Sequence, residues 1–284
     1  MPYLQHAPDF LCVGHCCHDL LPGGRYLLGG TAAYSGIVAR QLGQQTGILT
    51  SVGPDFAFFD VFERHGIAVC NKAAPQTTVF ENIYRDDLRT QYLHGRANTL
   101  YPADVPAAWA SPAVVQFCPI AGEVDFSLLR AFPDALTGAT IQGWLRQWDE
   151  QRRVSPKAMD WSQLAGVDVA IFSDADIAGF EAALPRITEA VALVVLTQGA
   201  AGATVFHGGQ RTHFPAFPVR EVDATGAGDV FAAAFLIRYA DTRDIARAAA
   251  FAHCAASFVV EGVGIQNLAS MEQIREREAV YQTI

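Results

Sequence analysis

The feature that most constrains the fold is a regular alternation of short apolar runs with longer segments at helical spacing. The runs are rich in Val, Ile and Leu, as is typical of strands that are buried on both faces. The segments between them match helices that cover a sheet. The pattern therefore predicts an α/β fold with a mostly parallel central sheet. The predicted strands are Phe10–Val13, Gly47–Val52, Val114–Phe117, Ala139–Ile141, Val167–Phe172 and Ala192–Thr197.

Three helices and one hairpin complete this outline. The helices are predicted over Thr31–Leu42, Val230–Tyr239 and Arg243–Val260, and Gly262 and Gly264 end the last one. The segment Thr77–His94 alternates apolar and polar residues on both sides of Arg85-Asp86-Asp87, as a hairpin does. It either packs on the main body or forms a small sheet with Leu20–Leu28. A flap over a pocket and a purely structural excursion are both open at this point.

Composition excludes several classes of protein. The chain has 284 residues, of which 51% are hydrophobic and 17% charged, so we expect a large core and no extensive disorder. The net charge of −9 argues against a nucleic-acid surface, although a local pocket can still bind a small anion. No apolar run is long enough to cross a membrane, and the first ten residues do not resemble a secretion signal. We therefore expect a cytoplasmic protein with reduced, mostly buried thiols at Cys12, Cys16, Cys17, Cys70, Cys118 and Cys254.

The segment His15-Cys16-Cys17-His18-Asp19 contains residue types that bind metals. We interpret it as the end of the first strand, where neighbouring side chains point to opposite faces and do not converge on a zinc ion. Asp19 would then lie just beyond the carboxyl end of a buried strand. That position is where open α/β sheets bind their ligands.

A turn with almost no side chains precedes the helix that begins near Val230. Gly226-Ala227-Gly228 leads directly into Asp229 and an apolar helix-forming run. The first amides of a helix have no partner within it, so this turn predicts an anion site that a phosphate can approach closely. No Lys-Ser or Lys-Thr pair follows, which excludes a Walker A loop. Asp229 either caps the helix or accepts a proton in phosphoryl transfer, and the turn alone favours neither.

The segment Asp223–Asp229, with the sequence Asp-Ala-Thr-Gly-Ala-Gly-Asp, resembles the C-terminal signature of the ribokinase-like (PfkB) carbohydrate kinases. Ala224 stands where that signature has Thr or Pro. Further segments resemble other landmarks of the family, in the expected order. They are Asp19, the Gly29-Gly30 pair, the segment 197–202 and the segment 252–256.

The resemblance implies a three-layer α/β sandwich in one domain over residues 1–284, with a small β lid formed by about 20–28 and 75–97. It also implies transfer of the γ-phosphoryl group of ATP to a hydroxyl of a sugar or polyol. Asp229 would be the general base, beside an anion hole at Gly226, Ala227 and Gly228. The resemblance assigns acceptor binding to Asp19, Gly29, Gly30 and Tyr34, and nucleotide binding to Thr197, Gly199, Gly202, Thr225 and His253.

The chain departs from the family pattern where metals bind. Ser173-Asp174-Ala175-Asp176 replaces the Asn-x-x-Glu motif that organises Mg²⁺, so only Asp176 matches, through a bound water, and helix capping is an equal alternative. A site for a monovalent cation such as K⁺ would involve Asp223, Thr225 and Gly264.

Tyr34 stands where many members of the family have an Asn that contacts the sugar. Together with Gly53-Pro54-Asp55 and the segment 142–146, this aromatic residue resembles the branch that contains inositol kinases. We expect Arg146, at the end of that segment, to be a solvated surface residue rather than a ligand of a phosphate or carboxylate. A nucleoside kinase, or a non-catalytic scaffold or regulator that binds a sugar or nucleotide, is the alternative function. A homodimer through the lid is a further expectation.

Overall fold

The computed structural model of the protein describes residues 6–85, 88–262 and 267–281. Its main sheet has nine strands in the order β15-β14-β13-β12-β9-β8-β1-β4-β5. All neighbours from β13 to β5 pair in parallel, and β14 and β15 add an antiparallel edge. The strands are β1 (Phe10–Val13), β4 (Thr46–Val52), β5 (Ala68–Ala73), β8 (Val114–Phe117), β9 (Leu136–Thr140), β12 (Val169–Ser173), β13 (Leu193–Thr197), β14 (Ala203–His207) and β15 (Gln210–Phe214).

Helices and short 3-10 turns cover both faces of this sheet, which gives three layers. Strand β1 shows the reason, because Phe10 and Cys12 enter one hydrophobic cluster while Leu11 and Val13 enter the other. One cluster receives α1, α4 and α5, and the other receives α3 and the 3-10 turns. The helices are α1 (Thr31–Gln41), α2 (Phe59–Arg64), α3 (Leu184–Ala190), α4 (Ala227–Thr242), α5 (Ile245–Val260) and α6 (Met271–Tyr281). The predicted three-layer α/β fold with a mostly parallel sheet is thus confirmed.

A second sheet of four strands lies beside the main one, in the order β3-β2-β6-β7. We call this sheet the lid. Its strands are β2 (Cys17–Leu20), β3 (Tyr26–Gly29), β6 (Thr78–Arg85) and β7 (Leu88–Gly95). The predicted hairpin therefore forms a separate sheet, together with the segment near Leu20–Leu28. Strands β10 (Arg146–Trp148) and β11 (Val154–Pro156) form a small antiparallel hairpin of their own.

The prediction that the first strand continues towards Asp19 was wrong. Strand β1 ends at Val13. The amide of Gly14 still donates to the carbonyl of Leu49 in β4, but the two amides after it bond to side chains. The amide of His15 donates to Glu123, and that of Cys16 donates to the hydroxyl of Thr50. The chain therefore leaves the main sheet, and Asp19 belongs to the lid.

The two histidines of this segment have structural partners. The ring of His15 is fully buried, with Nδ1 2.7 Å from the Thr78 hydroxyl and Nε2 2.8 Å from the Asn98 carbonyl. The ring of His18 stacks on Tyr26 and Phe56. Within the described ranges no three His, Cys, Asp or Glu side chains converge as a metal site would require. All six cysteines are free and, apart from Cys70, buried.

Most predicted elements appear within a few residues of their predicted bounds. The largest displacement is at Ala139–Ile141, where β9 begins and ends earlier. Seven strands (β2, β3, β5, β10, β11, β14 and β15) and three helices (α2, α3 and α6) were not predicted as separate elements. Asp86, Asp87 and Gly264 lie outside the described residues. No helix in the described part of the chain is long and apolar enough to span a membrane.

Candidate active site

The glycine turn before α4 has the geometry of an open cradle. Gly226 precedes the helix in a left-handed conformation with φ 83°, and a Cβ there would lie 2.6 Å from the ring of Tyr34. A Cβ on Gly228 would meet no atom within 4 Å. Gly228 thus leaves open space beside the first turn of α4, where the helix dipole favours an anion. The anion hole at this turn stays a prediction.

Asp229 lies in the first turn of α4, but the helix has no side-chain cap. A hydrogen bond from the Thr31 side chain, at the start of α1, reaches the carboxyl group instead. The pKa of Asp229 is raised to about 6, chiefly by burial and also by the charges of Asp176 and Asp19, while Thr31 and Arg146 lower it. A carboxyl group with this pKa is suited to accept a proton near neutral pH. The local structure therefore favours the catalytic interpretation of Asp229 over capping.

Asp19 reaches the same place from the lid. It lies on β2 opposite Leu27 of β3, and a Cβ on Gly29 would collide with its carboxylate. The missing side chain of Gly29 thus leaves room for Asp19. Gly30 begins α1 with φ 98°, next to the carbonyl of His15. This pair of glycines sets Asp19 and Thr31 on one side of Asp229.

Tyr34 is buried in α1 between the glycine turn and the carboxylates. Burial, Asp19 and Asp229 raise the pKa of its phenol, so that the phenol stays protonated. The next residue, Ser35, donates from its hydroxyl to the backbone carbonyl of Asp229 over 3.3 Å. Helix α1 therefore holds the first turn of α4 in place and presents one phenol donor to the site.

Arg146 is not the solvated surface residue that the sequence favoured. It is half-buried, its guanidinium carbon lies 5.4 Å from the centroid of the Phe80 ring, and Nη1 donates to the carbonyl of Ile120 over 3.0 Å. Its charge lowers the pKa of Asp229. Arg146 is half-buried because it begins the hairpin of β10 and β11, and this hairpin lies against the lid.

The segment 173–176 lies at the carboxyl end of β12 and borders the site. Oδ2 of Asp176 accepts hydrogen bonds of 2.8 Å from both the amide and the hydroxyl of Ser173, and Oδ1 accepts from Gln142 over 2.7 Å. Asp174 accepts from the amide of Ala175. Asp176 therefore organises this turn and also acts electrostatically on Asp229. Carboxylate oxygens are ligands that suit Mg²⁺.

Thr197 lies next to this turn, because its carbonyl accepts from the amide of Asp174 over 3.1 Å. Gly199 begins a 3-10 turn, and a Cβ on Gly202 would collide with the carbonyl of Phe214. The backbone of Thr225 donates to Asp223 over 2.9 Å, in a tight turn before the glycines. Thr197, Gly199 and Gly202 thus lie together at the end of β13 and directly after it, and Thr225 lies in the turn that precedes α4.

His253 lies on α5, 4.9 Å from the ring of Phe231 in α4, and is 6% exposed. Burial lowers the pKa of His253 to about 4, so the ring is neutral. Its Nε2 is buried without a hydrogen-bond partner among the described residues. The ring also stacks on Tyr281, with the two ring centroids 6.3 Å apart. The nucleotide assignment of His253 stays a prediction.

Comparison with known families agrees with this geometry. Residues 15–272 match the pfkB family carbohydrate kinase profile. The chain belongs to the pfkB family. This membership confirms the predicted class of enzyme, a phosphotransferase with an alcohol group as acceptor. The pfkB profile reaches from the segment before the lid to the first residues of α6.

Several known proteins are similar to this pfkB chain. An inositol 3-kinase from Oryza sativa subsp. japonica is 30% identical over 254 residues, which cover 79% of this chain but 61% of the rice protein. A ribokinase from Bacillus subtilis (strain 168) is 26% identical over 264 residues, 84% of this chain and 83% of the relative. The crystal structure of a fructokinase with bound ATP from Xylella fastidiosa superposes with a TM-score of 0.79 at 17% identity, covering 97% of this chain and 99% of that one. That likeness supports the fold.

Sequence reasoning missed three contributors to the site. Thr31 bonds to Asp229, Gln142 bonds to Asp176, and Phe80 packs under Arg146. Thr31 follows the glycine pair directly, which is a usable signal. Nothing in the sequence pattern places Phe80 or Gln142 beside residues that are distant along the chain.

Proposed function

We propose that this protein is an ATP-dependent kinase that transfers the γ-phosphoryl group to a hydroxyl of a sugar or polyol. The observation that carries the proposal is a carboxyl group with a pKa of about 6 directly beside an open cradle of helix amides. Phosphoryl transfer to an alcohol needs those two parts at one place, since one receives the proton and the other binds the transferring group.

In this proposal Asp229 accepts the proton of the acceptor hydroxyl as its oxygen attacks the γ-phosphorus. The amides of Gly226, Ala227 and Gly228 stabilise the negative charge on the transferring group. Thr31 holds the carboxyl of Asp229 in position through its hydrogen bond. Mg²⁺, when bound, neutralises the phosphate oxygens, and Asp176 would hold it through a water molecule.

On the acceptor side, Asp19, Gly29 and Gly30 bind and orient the polyol, and Tyr34 donates a hydrogen bond from its protonated phenol. On the donor side, Thr197, Gly199, Gly202 and Thr225 line the phosphates and His253 contacts the base. The lid excludes water when it closes over the acceptor. The inositol and ribose kinases among the relatives support a polyhydroxylated acceptor.

An ADP-release assay with a panel of acceptors tests the proposal. We expect ADP release from ATP with a cyclic polyol or sugar such as myo-inositol, ribose or fructose as acceptor. Turnover with cytidine or adenosine alone would favour a nucleoside kinase. ATP and acceptor binding with no turnover on the whole panel would overturn the proposal in favour of a scaffold.

Three further properties stay predictions. K⁺ dependence through Asp223 is tested by titrating KCl in the same assay. A homodimer through the lid is tested by light scattering, and the β3 edge, where Tyr26 and Leu27 are 45% and 51% exposed, is the surface for it. A cytoplasmic location is tested by cell fractionation.

A further inference from the structure

The hairpin of β10 and β11 joins the lid to the main body. At its far end the carbonyl of Arg152 accepts from the amide of Leu93 over 2.9 Å, and the Arg152 side chain donates to the carbonyl of His94 over 2.8 Å. Arg153 forms a bridge with Tyr92 on the same strand. The hairpin therefore extends the lid beyond its β7 edge.

The near end of this hairpin is Arg146, which lies on the inner face of the lid. Asp19 and Phe80 are directly opposite each other on β2 and β6, so their side chains share one face. The guanidinium of Arg146 lies over the ring of Phe80, and its charge acts on both Cys17 and Asp229. Arg146 thus lies on the face that carries Asp19, within electrostatic reach of Asp229.

We propose that Arg146 is an acceptor-binding and specificity-determining residue, which donates hydrogen bonds to hydroxyl groups of a neutral polyol. The inference deepens the proposed function and rests on it. A guanidinium offers a planar set of donors, and the hairpin fixes it between the lid and the Ile120 carbonyl. Asp19, on the same face of the lid, accepts hydrogen bonds from the polyol hydroxyls that Arg146 does not contact.

The charges around the site decide the class of acceptor. Among the described residues, the charged groups that act on Asp229 are the acids Asp19 and Asp176 and the cation Arg146. An acceptor with its own carboxylate or phosphate would add a negative charge to a site that already has more acids than bases. A neutral polyol needs only the donors and acceptors that these side chains supply. We therefore expect myo-inositol to be preferred over a sugar acid such as gluconate by at least about 30-fold in kcat/KM.

Substitution of Arg146 tests the inference. We expect Arg146→Ala to raise the KM for myo-inositol roughly 30-fold or more, as loss of charge-assisted hydrogen bonds does. The KM for ATP should stay within about twofold, because Arg146 is on the acceptor side. Arg146→Lys should give a smaller rise, since a lysine keeps the charge but not the planar fork. Arg186→Ala, an exposed arginine on α3, is the matched control and should leave both KM values unchanged.

The pH profile gives a second readout that a merely structural residue would not move. The groups that face Asp229 are Thr31 and Tyr34 from α1, Asp19 from β2, Cys118 after β8, Asp176 after β12, and Arg146. Arg146 alone among them is a cation, and it lowers the pKa of Asp229. Its removal should shift the acid limb of kcat/KM from near pH 6 to higher pH.

The outcomes separate the two proposals. An active, folded Arg146→Ala variant with an unchanged KM for myo-inositol and an unchanged acid limb overturns this inference and leaves the kinase proposal intact. A raised KM confined to gluconate overturns the neutral-acceptor class. If the Ala variant fails to fold, as circular dichroism would show, Arg146→Lys carries the same comparison. Absence of phosphoryl transfer by the wild type on the whole panel overturns the proposed function, and with it this inference.

Discussion

Asp229 is a half-buried carboxylate in the first turn of α4, although a carboxylate is most stable in water. Burial is the largest cause of its raised pKa, and Thr31 and Arg146 compensate only in part. Enzymes commonly accept such a cost at the group that performs the chemistry. The cost is measurable as stability.

We predict that Asp229→Asn stabilises the fold at pH 7.5 by about 1–2 kcal/mol, a figure reduced for the solvent access that the side chain retains. The pKa in the folded state, about 6, lies above the ordinary value of 3.8, so the ionised form is disfavoured in the native protein. The cost is complete about one pH unit above 6 and disappears as the pH falls below 3.8. Urea unfolding at pH 7.5 and at pH 3.5 should show a gain at the first pH and almost none at the second.

Asp134→Asn, at an exposed carboxylate, should change stability little at either pH. An Asn variant of Asp229 that is less stable than the wild type at pH 7.5 would show that the carboxylate is satisfied in the fold and is not a strained base.

Substitutions of Gly226 and Gly228 are predicted to affect different properties, namely stability at Gly226 and ATP binding at Gly228. Gly228→Val should fold normally, because no atom of the protein lies within 4 Å of the new Cβ, but should weaken ATP binding roughly 30-fold or more by filling the cradle. Gly226→Ala should instead lower stability by about 1–3 kcal/mol, since a left-handed φ and the Tyr34 ring both oppose a side chain. Thermal unfolding and calorimetry with ATP measure both. Equal ATP affinity in Gly228→Val would contradict the anion hole.

At the scale of elements, a buried carboxylate joins the ends of β1 and β8. Glu123 is fully buried and accepts hydrogen bonds from the amides of His15, Ile120 and Ala121. The amide of His15 lies between β1 and the lid. The amides of Ile120 and Ala121 lie between β8 and the next 3-10 turn. Glu123 therefore holds together the segment that leads from β1 into the lid and the segment that follows β8.

We predict that Glu123→Ala lowers the free energy of unfolding by about 3–5 kcal/mol, because three buried amides lose their acceptor. Glu123→Gln should cost less, since one carbonyl oxygen remains. Chemical denaturation measures the change, and Glu276→Ala on the exposed face of α6 should stay within about 0.5 kcal/mol of the wild type. A loss below about 1 kcal/mol in Glu123→Ala would mean that water replaces the carboxylate.

Elements with strong periodicity could be predicted from the sequence, and those defined by tertiary contacts could not. The apolar runs of β1, β4 and β8 and the long helices α4 and α5 carry their own signal. Strands β10 and β11 have three residues each and form only because they pair with each other and with the lid. The departure of the chain after Val13 depends on Glu123, more than a hundred residues away, so local alternation misled the interpretation of Asp19.

The same distinction holds for the site. The glycine turn and Asp229 are contiguous and could be found from residue chemistry. Asp19 was also singled out from its position after a strand, and the resemblance added His253. Arg146 was misjudged because an arginine is usually exposed, and only the hairpin and the Phe80 ring bring it inside.

At the scale of the whole molecule, the fold sets a rigid sheet edge against a smaller sheet and places the reactive groups between them. α1 and α4 meet at their first turns, through the bond from Thr31 to Asp229 and that from Ser35 to its carbonyl. The lid supplies Asp19, and the hairpin supplies Arg146. The pfkB architecture thus brings Asp19, Arg146, Asp229 and the glycine turn together from segments that are far apart in the chain.

The most direct test of the central claim is acceptor-dependent ADP release by wild type and Asp229→Asn at pH 8, with the best acceptor of the panel. Loss of the base should lower kcat by roughly 10²–10⁴, the usual contribution of general-base catalysis, while ATP affinity by calorimetry stays close to that of the wild type. Near wild-type turnover by a folded Asp229→Asn protein would contradict the assignment of Asp229 as the base, and with it the mechanism built on the glycine turn.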